Sequence, residues 1–179
     1  MRITGGALAR RPIDAPKGDR TRPTTDRVRE ALFSALGSRM DLHGARVLDL
    51  FAGSGALGLE AVSRGAARAT LVERHGPTLA VARGNARQLG VADRVRTVRA
   101  DALVHLGAVA EEAGPFDLVV AAPPSALAEL PALPGRVRPL LAPGGLFALE
   151  HDARHDFAEA DGLVFSRAYG GTVVSVFEG

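Results

Sequence analysis

The sequence predicts a single α/β domain with a doubly wound, mostly parallel seven-stranded sheet and an antiparallel hairpin at its C-terminal end. Between residues 45 and 151, short apolar strands alternate with helical segments, which is typical of a parallel sheet covered by helices on both faces. Two runs of alternating apolar and polar residues, 162–169 and 172–178, flank Gly170-Gly171 and indicate a β-hairpin. With 179 residues, the chain can bury such a core without disulfides.

The individual elements follow from the spacing of the apolar residues. A first helix begins at Thr24 or Thr25, either of which can cap it, and Gly37 can end it. The expected strands are 45–51, 69–73, 94–100, 116–122 and 144–151; the expected helices are 55–65, 77–90 and 102–113, with a proline-interrupted helical region at 126–141. Residues 2–4 and Ile13 can form a short hairpin. We therefore divide the chain into an N-terminal arm, 1–23, and one domain, 24–179.

Positive charge is concentrated near the start of the chain. Residues 1–30 contain eight basic and four acidic side chains, whereas the remainder contains 14 basic and 16 acidic ones. An arginine-rich arm is typical of nucleic-acid binding, because guanidinium groups pair with phosphates and stack on bases; a merely solvated arm is the alternative. The candidate RNA-binding residues are Arg2, Arg10, Arg11, Lys17, Arg20 and Arg22.

Composition argues against several other classes of protein. The absence of cysteine excludes a thiol nucleophile and a Cys-ligated zinc. His151 and His155 have the spacing of metal ligands, but we interpret their polar stretch, HDARH, as a solvated loop and expect no metal site. No apolar run approaches the roughly 20 residues of a membrane span, and no signal peptide is visible, so we expect a cytoplasmic protein. With 4% aromatic residues, we also expect a monomer.

The stretch DLFAGSGALG, residues 49–58, leaves a predicted strand and enters a helix. Its glycines, Gly53, Gly55 and Gly58, have the spacing G-x-G-x-x-G, which lets the backbone turn tightly and approach a ligand. This spacing also describes NAD sites. Asp49 favours a different ligand, because a carboxylate at this place suits a sulfonium or an amino group and repels a pyrophosphate.

Two further acids lie at the ends of the next two predicted strands. Glu73 lies where a carboxylate can accept hydrogen bonds from ribose hydroxyls, and Asp101 lies where a side chain can reach an adenine amine. The carboxyl ends of successive parallel strands meet at one crevice, where α/β folds bind their ligands. The three acids therefore favour S-adenosylmethionine over NAD, and an NAD-linked oxidoreductase is supported by the glycine spacing alone.

Two long motifs, RPTTDRVREALF at 22–33 and DLFAGSGALGLEAVSRGA at 49–66, resemble the bacterial family that methylates the exocyclic N2 of a guanine in small-subunit ribosomal RNA. The likeness covers nearly the whole chain, including MRITGG at the start, Pro123-Pro124, LLAPGG at 140–145 and YGGT at 169–172. It implies a Rossmann-like class I methyltransferase fold, S-adenosylmethionine as methyl donor, and small-subunit RNA or the assembling subunit as partner.

The resemblance also implies roles for particular residues. Asp49, Gly53 and Gly55 would hold the methionine end of the cofactor, Glu73 the ribose and Asp101 the adenine. The segment around Thr24, Thr25 and Arg27 would close over the cofactor, and the arm would contact RNA. The full set of expected cofactor-binding residues is Asp49, Phe51, Gly53, Ser54, Gly55, Glu73, Arg74, Asp101, Ala102, Thr24 and Thr25.

The chain departs from this family at the catalytic motif. The family carries Asp or Asn, then Pro-Pro and an aromatic residue, because oxygen acceptors aim the amine and the ring stacks on the flipped base. This chain has Ala122, Pro123, Pro124 and Ser125. We therefore expect these four residues to act in catalysis through their backbone groups and the turn that they form.

Loss of one preorganised polar group costs about 10²–10³ in rate. The substitution therefore predicts a slow enzyme, an enzyme with a substitute acceptor, or a cofactor- and RNA-binding assembly factor without chemistry. The candidate substitute acceptors are Ser125, Glu150, His151 and Asp26.

Overall fold

One seven-stranded sheet organises the computed structural model, which describes residues 1–16, 24–104 and 106–179. Its strands are β1 (Arg46–Leu50), β2 (Arg68–Val72), β3 (Val95–Val98), β4 (Phe116–Ala121), β5 (Leu141–Asp152), β6 (Leu163–Tyr169) and β7 (Thr172–Glu178). Their order across the sheet is β3-β2-β1-β4-β5-β7-β6. The first five strands are parallel, while β7 pairs antiparallel with both β5 and β6. The predicted fold class and terminal hairpin are confirmed.

Helices cover both faces of the sheet. They are α1 (Asp26–Gly37), α2 (Ala56–Ser63), α3 (Gly76–Leu89), α4 (Leu106–Ala113) and α5 (Leu133–Val137). Apolar residues of the first three helices form one buried core with one face of the sheet. Leu106 of α4 and Leu133 and Val137 of α5 belong to a second core on the other face. This arrangement leaves the carboxyl edge of the parallel strands open between the two layers.

Several element boundaries differ from the sequence-based expectation. The helix predicted from residue 102 begins at Leu106, because the backbone N–H of Leu103 bonds to the Asp101 side chain at 3.0 Å in a turn. The helical region predicted at 126–141 reduces to α5 between two 3₁₀ turns, Leu130–Ala132 and Arg138–Leu140. A proline lies near the start of each of these short pieces, and its missing N–H prevents a continuous helix.

Residues 1–16 pack on the domain as a small hairpin. The N–H of Ile3 donates to the Arg11 carbonyl at 2.9 Å, and that of Ile13 donates to the Met1 carbonyl at 3.0 Å. Ile3 and Ile13 are both buried in the first core. The boundary expected between residues 23 and 24 stays a prediction, since residues 17–23 lie outside the described ranges.

A buried carboxylate on α2 fixes this N-terminal hairpin to the domain. Glu60 accepts hydrogen bonds from the backbone N–H groups of Thr4 and Gly5 at 2.8 and 2.7 Å. It also accepts from Arg29 of α1 at 3.2 Å and from Arg64 at 2.8 Å. The hairpin, α1 and α2 are therefore held together at one charged point inside the protein.

Candidate cofactor cavity and active site

A cavity of about 820 Å³ lies at the carboxyl edge of the parallel strands. Its lining residues follow the ends of β1, β2, β3 and β4, and Met1, Ala15, Pro16 and Thr24 close it from the N-terminal side. A cavity of this volume suits a nucleoside-sized ligand, since small-molecule sites usually measure roughly 300–1,000 Å³.

The loop after β1 turns sharply through left-handed backbone conformations. Phe51, Gly53 and Gly55 have φ of 59°, 56° and 79°, respectively. The N–H of Gly55 closes the turn on the Ala52 carbonyl at 2.7 Å. Gly55 also contacts β2 closely, because an added Cβ would lie 2.9 Å from Leu71 Cδ1. The glycines therefore allow both the turn and the close packing of the loop.

Asp49 lies beneath this loop and is only 1% exposed. The backbone N–H of Gly58, in α2, donates to Asp49 Oδ2 at 2.8 Å. Burial raises the pKa of Asp49 to about 7; the Gly58 hydrogen bond opposes this shift and the Glu73 charge adds to it. A cationic group in the cavity would therefore favour the ionised form of this carboxyl group.

Glu73 is held at the end of β2 by two backbone donors. Gly53 N–H donates to Oε2 at 3.2 Å, and His75 N–H donates to Oε1 at 2.8 Å. Each carboxylate oxygen can accept a further hydrogen bond. The side chain is thereby fixed at the cavity wall with acceptor capacity for a pair of hydroxyl groups.

The β3 end of the cavity combines a charged rim with apolar walls. Asp101 Oδ2 lies 3.8 Å from Arg74 Nη1, with both side chains well exposed. Val72, Ala102 and Leu103 line the same part of the cavity. Such a mixture suits a planar heterocycle, which needs an apolar surface and one polar partner.

Asn85 of α3 ties the N-terminal hairpin to the glycine loop. This buried amide donates to the carbonyls of Asp14 and Ser54 at 3.0 and 2.9 Å, and it accepts from Asp14 N–H at 2.8 Å. The cavity wall at Ala15 and Pro16 is therefore anchored to the same helix that supports Ser54.

Most of the residues expected to bind a cofactor lie at this cavity. Those that line it are Thr24, Asp49, Phe51, Gly53, Ser54, Glu73, Arg74, Asp101 and Ala102. Gly55 shapes the loop instead, and Thr25 caps α1 by accepting from Val28 N–H. Arg27 lies on α1 and is exposed.

Sequence reasoning missed several lining residues, among them His75, Thr78, Leu103 and Leu127. His75 Nδ1 lies 2.8 Å from Thr78 Oγ1 in the first turn of α3. Both residues follow Glu73 closely in the sequence, so their position just after the end of β2 could have identified them as lining residues.

The four residues of the predicted catalytic motif are divided by the fold. Ala122 and Pro124 line the cavity. Pro123 is half-buried and does not contribute to the lining, and Ser125 is exposed, with its carbonyl accepting from Arg154 at 3.2 Å. The Pro124 carbonyl accepts from Leu127 N–H at 3.0 Å, which turns Leu127 into the cavity wall.

The interpretation of HDARH as a solvated loop is wrong for its first residues. His151 lies within β5 and is 6% exposed. Its ring bonds to Ser175 Oγ at 2.9 Å and to the Asp152 carbonyl at 2.8 Å, and it packs edge-on against Phe157. Burial lowers the pKa of His151, so the ring is a neutral core group.

Asp26 and Glu150, the two acidic candidates for the substitute acceptor, have different surroundings. Asp26 pairs with Arg29 at 2.8 Å and with Arg2 at 3.4 Å on the outer side of α1. Glu150 Oε2 accepts from Thr24 Oγ1 at 2.5 Å, which connects its carboxylate to a residue of the cavity wall.

Three of the six candidate RNA-binding residues can be placed. Arg11 donates to the Leu89 and Gln88 carbonyls at the end of α3, at 2.9 and 2.6 Å. Arg2 pairs with Asp26 but is 65% exposed, and Arg10 is exposed. Lys17, Arg20 and Arg22 lie outside the described residues.

Neither a metal-ion site nor a membrane-spanning helix is found in the part of the chain that the structure describes. No group of three His, Asp or Glu side chains there is arranged to hold a metal ion. No helix among the same residues has the length and apolar character needed to cross a membrane.

The sheet order, with β7 antiparallel between β5 and β6 and a cavity above a glycine loop, is that of the Rossmann-like methyltransferase fold. Comparison with known proteins identifies the family within this class. Residues 1–178 match the family model described as "Conserved hypothetical protein 95". The chain belongs to this family, which is that of the ribosomal RNA small subunit methyltransferase D proteins.

Two relatives show how far the sequence similarity extends. The "Putative rRNA methyltransferase YlbH" of Bacillus subtilis is 35% identical over 183 residues, covering 99% of this chain and 98% of the relative. The "Ribosomal RNA small subunit methyltransferase D" of Escherichia coli is 42% identical over 126 residues, covering 69% of this chain and 60% of the relative.

Solved structures agree with these relatives. A hypothetical protein of Thermus thermophilus superposes with a TM-score of 0.85 at 33% identity, covering 100% of this chain and 99% of the other. A "Putative methyltransferase" of Escherichia coli gives 0.82 at 32% identity, with coverages of 99% and 97%. An RNA methyltransferase of Salinibacter ruber, solved with S-adenosyl-L-homocysteine, shares the fold at 20% identity, with a TM-score of 0.68 and coverages of 88% and 93%.

Proposed function

We propose that the protein is an S-adenosylmethionine-dependent methyltransferase that modifies the exocyclic N2 of a guanine in small-subunit ribosomal RNA. The order of side chains along one edge of the sheet carries this proposal. Across β3, β2, β1 and β4, the cavity meets Asp101, Glu73, the glycine loop and Ala122 in turn. This order matches adenine, ribose, methionine and methyl acceptor.

The residues of the cavity suit this cofactor. The buried Asp49 complements a cationic ligand, and the fixed carboxylate of Glu73 suits the two ribose hydroxyls. Val72 and Leu103 provide apolar surface for the adenine beside Asp101. The left-handed Gly53 lets the loop backbone approach the methionine end.

S-adenosylmethionine supplies, when bound, a methyl group on a sulfonium whose transfer leaves a neutral thioether. The chain itself orients the reactants, and orientation accounts for much of the acceleration in such transfers. Thr24 and three residues of the N-terminal segment, Met1, Ala15 and Pro16, form one side of the cavity wall. The carbonyls of Ala122 and Pro123 lie in the turn fixed by two prolines, and they would accept hydrogen bonds from the incoming amine.

Ribosomal RNA as substrate is supported by the names of the relatives and by the basic N-terminal residues. Exposed Arg2 and Arg10 lie on the hairpin whose Met1 lines the cavity, so phosphate contacts there would bring a nucleotide toward the cavity mouth. We expect the protein to act as a monomer in the cytoplasm on RNA or on the assembling small subunit.

Transfer of labelled methyl from S-adenosylmethionine to small-subunit particles lacking the modification tests the proposal. Wild-type protein should label the guanine N2, and Asp49→Ala, a matched binding-defective control, should not do so at the same cofactor concentration. Absence of transfer by wild type that still binds the cofactor would exclude the enzymatic function.

A second function is favoured by the motif itself. Ala122 lacks a side-chain acceptor and the exposed Ser125 lacks a stacking ring, as expected of an assembly factor that binds cofactor and RNA without chemistry. Ala122→Asp combined with Ser125→Tyr distinguishes the two. Transfer by the double variant alone would identify such a factor.

A further inference from the structure

We infer that the carboxylate of Glu150 is the final proton acceptor of this methyl transfer, reached through the Thr24 hydroxyl, and that it replaces the acid missing at Ala122. The inference rests on the proposed function. It assigns the end of the proton path to a residue outside the Ala-Pro-Pro-Ser motif, on the neighbouring strand.

The sheet register brings Glu150 and Ala122 together. In the parallel pair β4–β5, Ala121 lies opposite Leu149, so Ala122 and Glu150 are the next residues along each chain. Neighbouring strands lie about 4.7–4.9 Å apart. A carboxylate at Glu150 therefore starts one strand away from the position where the family carries its acid.

The two residues also emerge on the same face of the sheet. Ala121 and Leu149 both belong to the second core, and successive side chains alternate between faces. Ala122 packs against the first core, the side covered by α1. Glu150 is on that side too, as its contact with Thr24 before α1 shows.

Thr24 connects Glu150 to the cavity. Its side chain lines the cavity, the residue is 9% exposed, and its hydroxyl donates to Glu150 Oε2 at 2.5 Å. Since Thr25 is the residue that caps α1, Thr24 is not needed for the cap. A hydroxyl in this place can accept a proton from a bound amine while passing its own to the carboxylate.

The chemical step balances with this acceptor. The exocyclic nitrogen attacks the methyl carbon, the N–C bond forms as the C–S bond breaks, and the electron pair of that bond remains on sulfur. The nitrogen then loses one proton, which ends on Glu150 and later passes to water. No oxidant, reductant or metal is needed.

The remaining candidates do not meet these conditions. Ser125 is exposed, and its carbonyl is bonded to Arg154. His151 is a core group bonded to Ser175, and Asp26 contacts Arg29 and Arg2, so neither side chain lines the cavity or bonds to a residue of its wall. Among the four substitute acceptors considered, Glu150 is the one bonded to a residue of the cavity wall.

Glu150→Gln tests the inference, because the amide oxygen can still accept from Thr24 while the side chain no longer takes up a proton. The matched control is Glu178→Gln, an exposed residue at the end of β7. Methyl transfer should be measured in a single turnover with saturating S-adenosylmethionine and small-subunit particles, and cofactor affinity by separate titration. We expect Glu150→Gln to lower the transfer rate about 10²–10³-fold, with cofactor affinity and melting temperature unchanged.

A rescue variant separates chemistry from structure. Adding Ala122→Asp to Glu150→Gln places an acid one strand away and should restore most of the rate. Wild-type transfer with undiminished transfer by Glu150→Gln would overturn the inference and leave the proposed function standing. A lower melting temperature and a rate loss that Ala122→Asp does not restore would also overturn it, because Glu150 would then be structural. No transfer by cofactor-bound wild type would overturn both.

Discussion

Arg29 and Glu60 form an ion pair inside the protein, with Arg29 Nε 3.2 Å from Glu60 Oε2 and neither side chain exposed. Buried charges are tolerated when each is compensated by partners. Glu60 has them in two backbone N–H groups and in Arg64. The pair therefore links α1, α2 and the N-terminal hairpin in one network.

Glu60→Ala should lower the free energy of unfolding by about 3–5 kcal/mol, because it removes the buried partner of Arg29. Arg29 then keeps its pairing with the partly exposed Asp26, and the N–H groups of Thr4 and Gly5 lose their acceptor. Urea denaturation measures this loss. Glu112→Ala is the control, since Glu112 pairs with Arg96 at an exposed site and its removal should change stability far less. An equal loss in both variants would contradict a special role for the buried pair.

The contribution of Asp49 to the stability of the cofactor-free protein should fall as pH rises from about 4 to about 7. Burial raises the pKa of Asp49 from 3.8 to about 7, so in this range the folded protein holds a proton that the unfolded chain has released. The Asp49 contribution is fully present below pH 3.8 and is lost through pH 7. Asp49→Asn, compared with wild type by urea denaturation across this range, should lack this component. Parallel pH profiles for the two proteins would refute it.

Cofactor affinity should change with pH in the opposite direction. A cationic ligand favours ionised Asp49, so binding of S-adenosylmethionine should tighten as pH rises through about 7. Titration calorimetry with wild type and Asp49→Asn measures this, and the variant should bind weakly with little pH dependence. A steep dependence that persists in Asp49→Asn would place the titrating group elsewhere.

Alanine at two helical glycines should have opposite effects. At Gly58 an added Cβ would lie 2.3 Å from Leu71 Cδ2 and 3.2 Å from Asp49 Oδ2, so Gly58→Ala should destabilise the protein and weaken cofactor binding. Gly84, in the exposed middle of α3, has nothing within 4 Å of that position, and Gly84→Ala should stabilise by roughly 0.5–1 kcal/mol. Thermal unfolding of both variants checks the pair, and a stabilised Gly58→Ala would contradict the packing argument.

Two neighbouring arginines should separate RNA binding from folding. Arg10→Ala removes an exposed charge and should weaken RNA binding, lowering the salt dependence of log K by about one unit, without changing stability. Arg11→Ala removes the hydrogen bonds to the Leu89 and Gln88 carbonyls and should lower the melting temperature. RNA titrations at several salt concentrations, together with thermal unfolding, distinguish the two. Unchanged RNA affinity in Arg10→Ala would count against the arm as an RNA contact.

Local sequence patterns were sufficient for the fold, and they brought the three acids and the glycine loop to the cavity. Alternating strands and helices determine a parallel sheet, and its carboxyl edge necessarily collects Asp49, Glu73 and Asp101. The glycine spacing marks the loop because Gly53 and Gly55 have backbone angles that other residues rarely adopt.

Such local patterns could not predict contacts between residues that are far apart in the sequence. Nothing local indicates that Glu60 meets Arg29, or that Thr24 meets Glu150 across 126 positions of the chain. The polar neighbours of His151, the last residue of the expected strand 144–151, predict a solvated side chain, yet Ser175 on β7 supplies a partner that makes its burial possible. Helix starts were misplaced for a similar reason, since the Asp101 turn and the prolines of 126–141 act against helical spacing.

The parallel register of β4 and β5 has a functional consequence. The ends of these two strands lie side by side, so a side chain on either strand can reach the same region. Along the chain, however, the two ends are separated by the whole crossover that contains α5. If Glu150 takes the proton, an acid on either strand end can serve the same cavity, and Ala122 and Glu150 are alternative positions for one function within an unchanged fold.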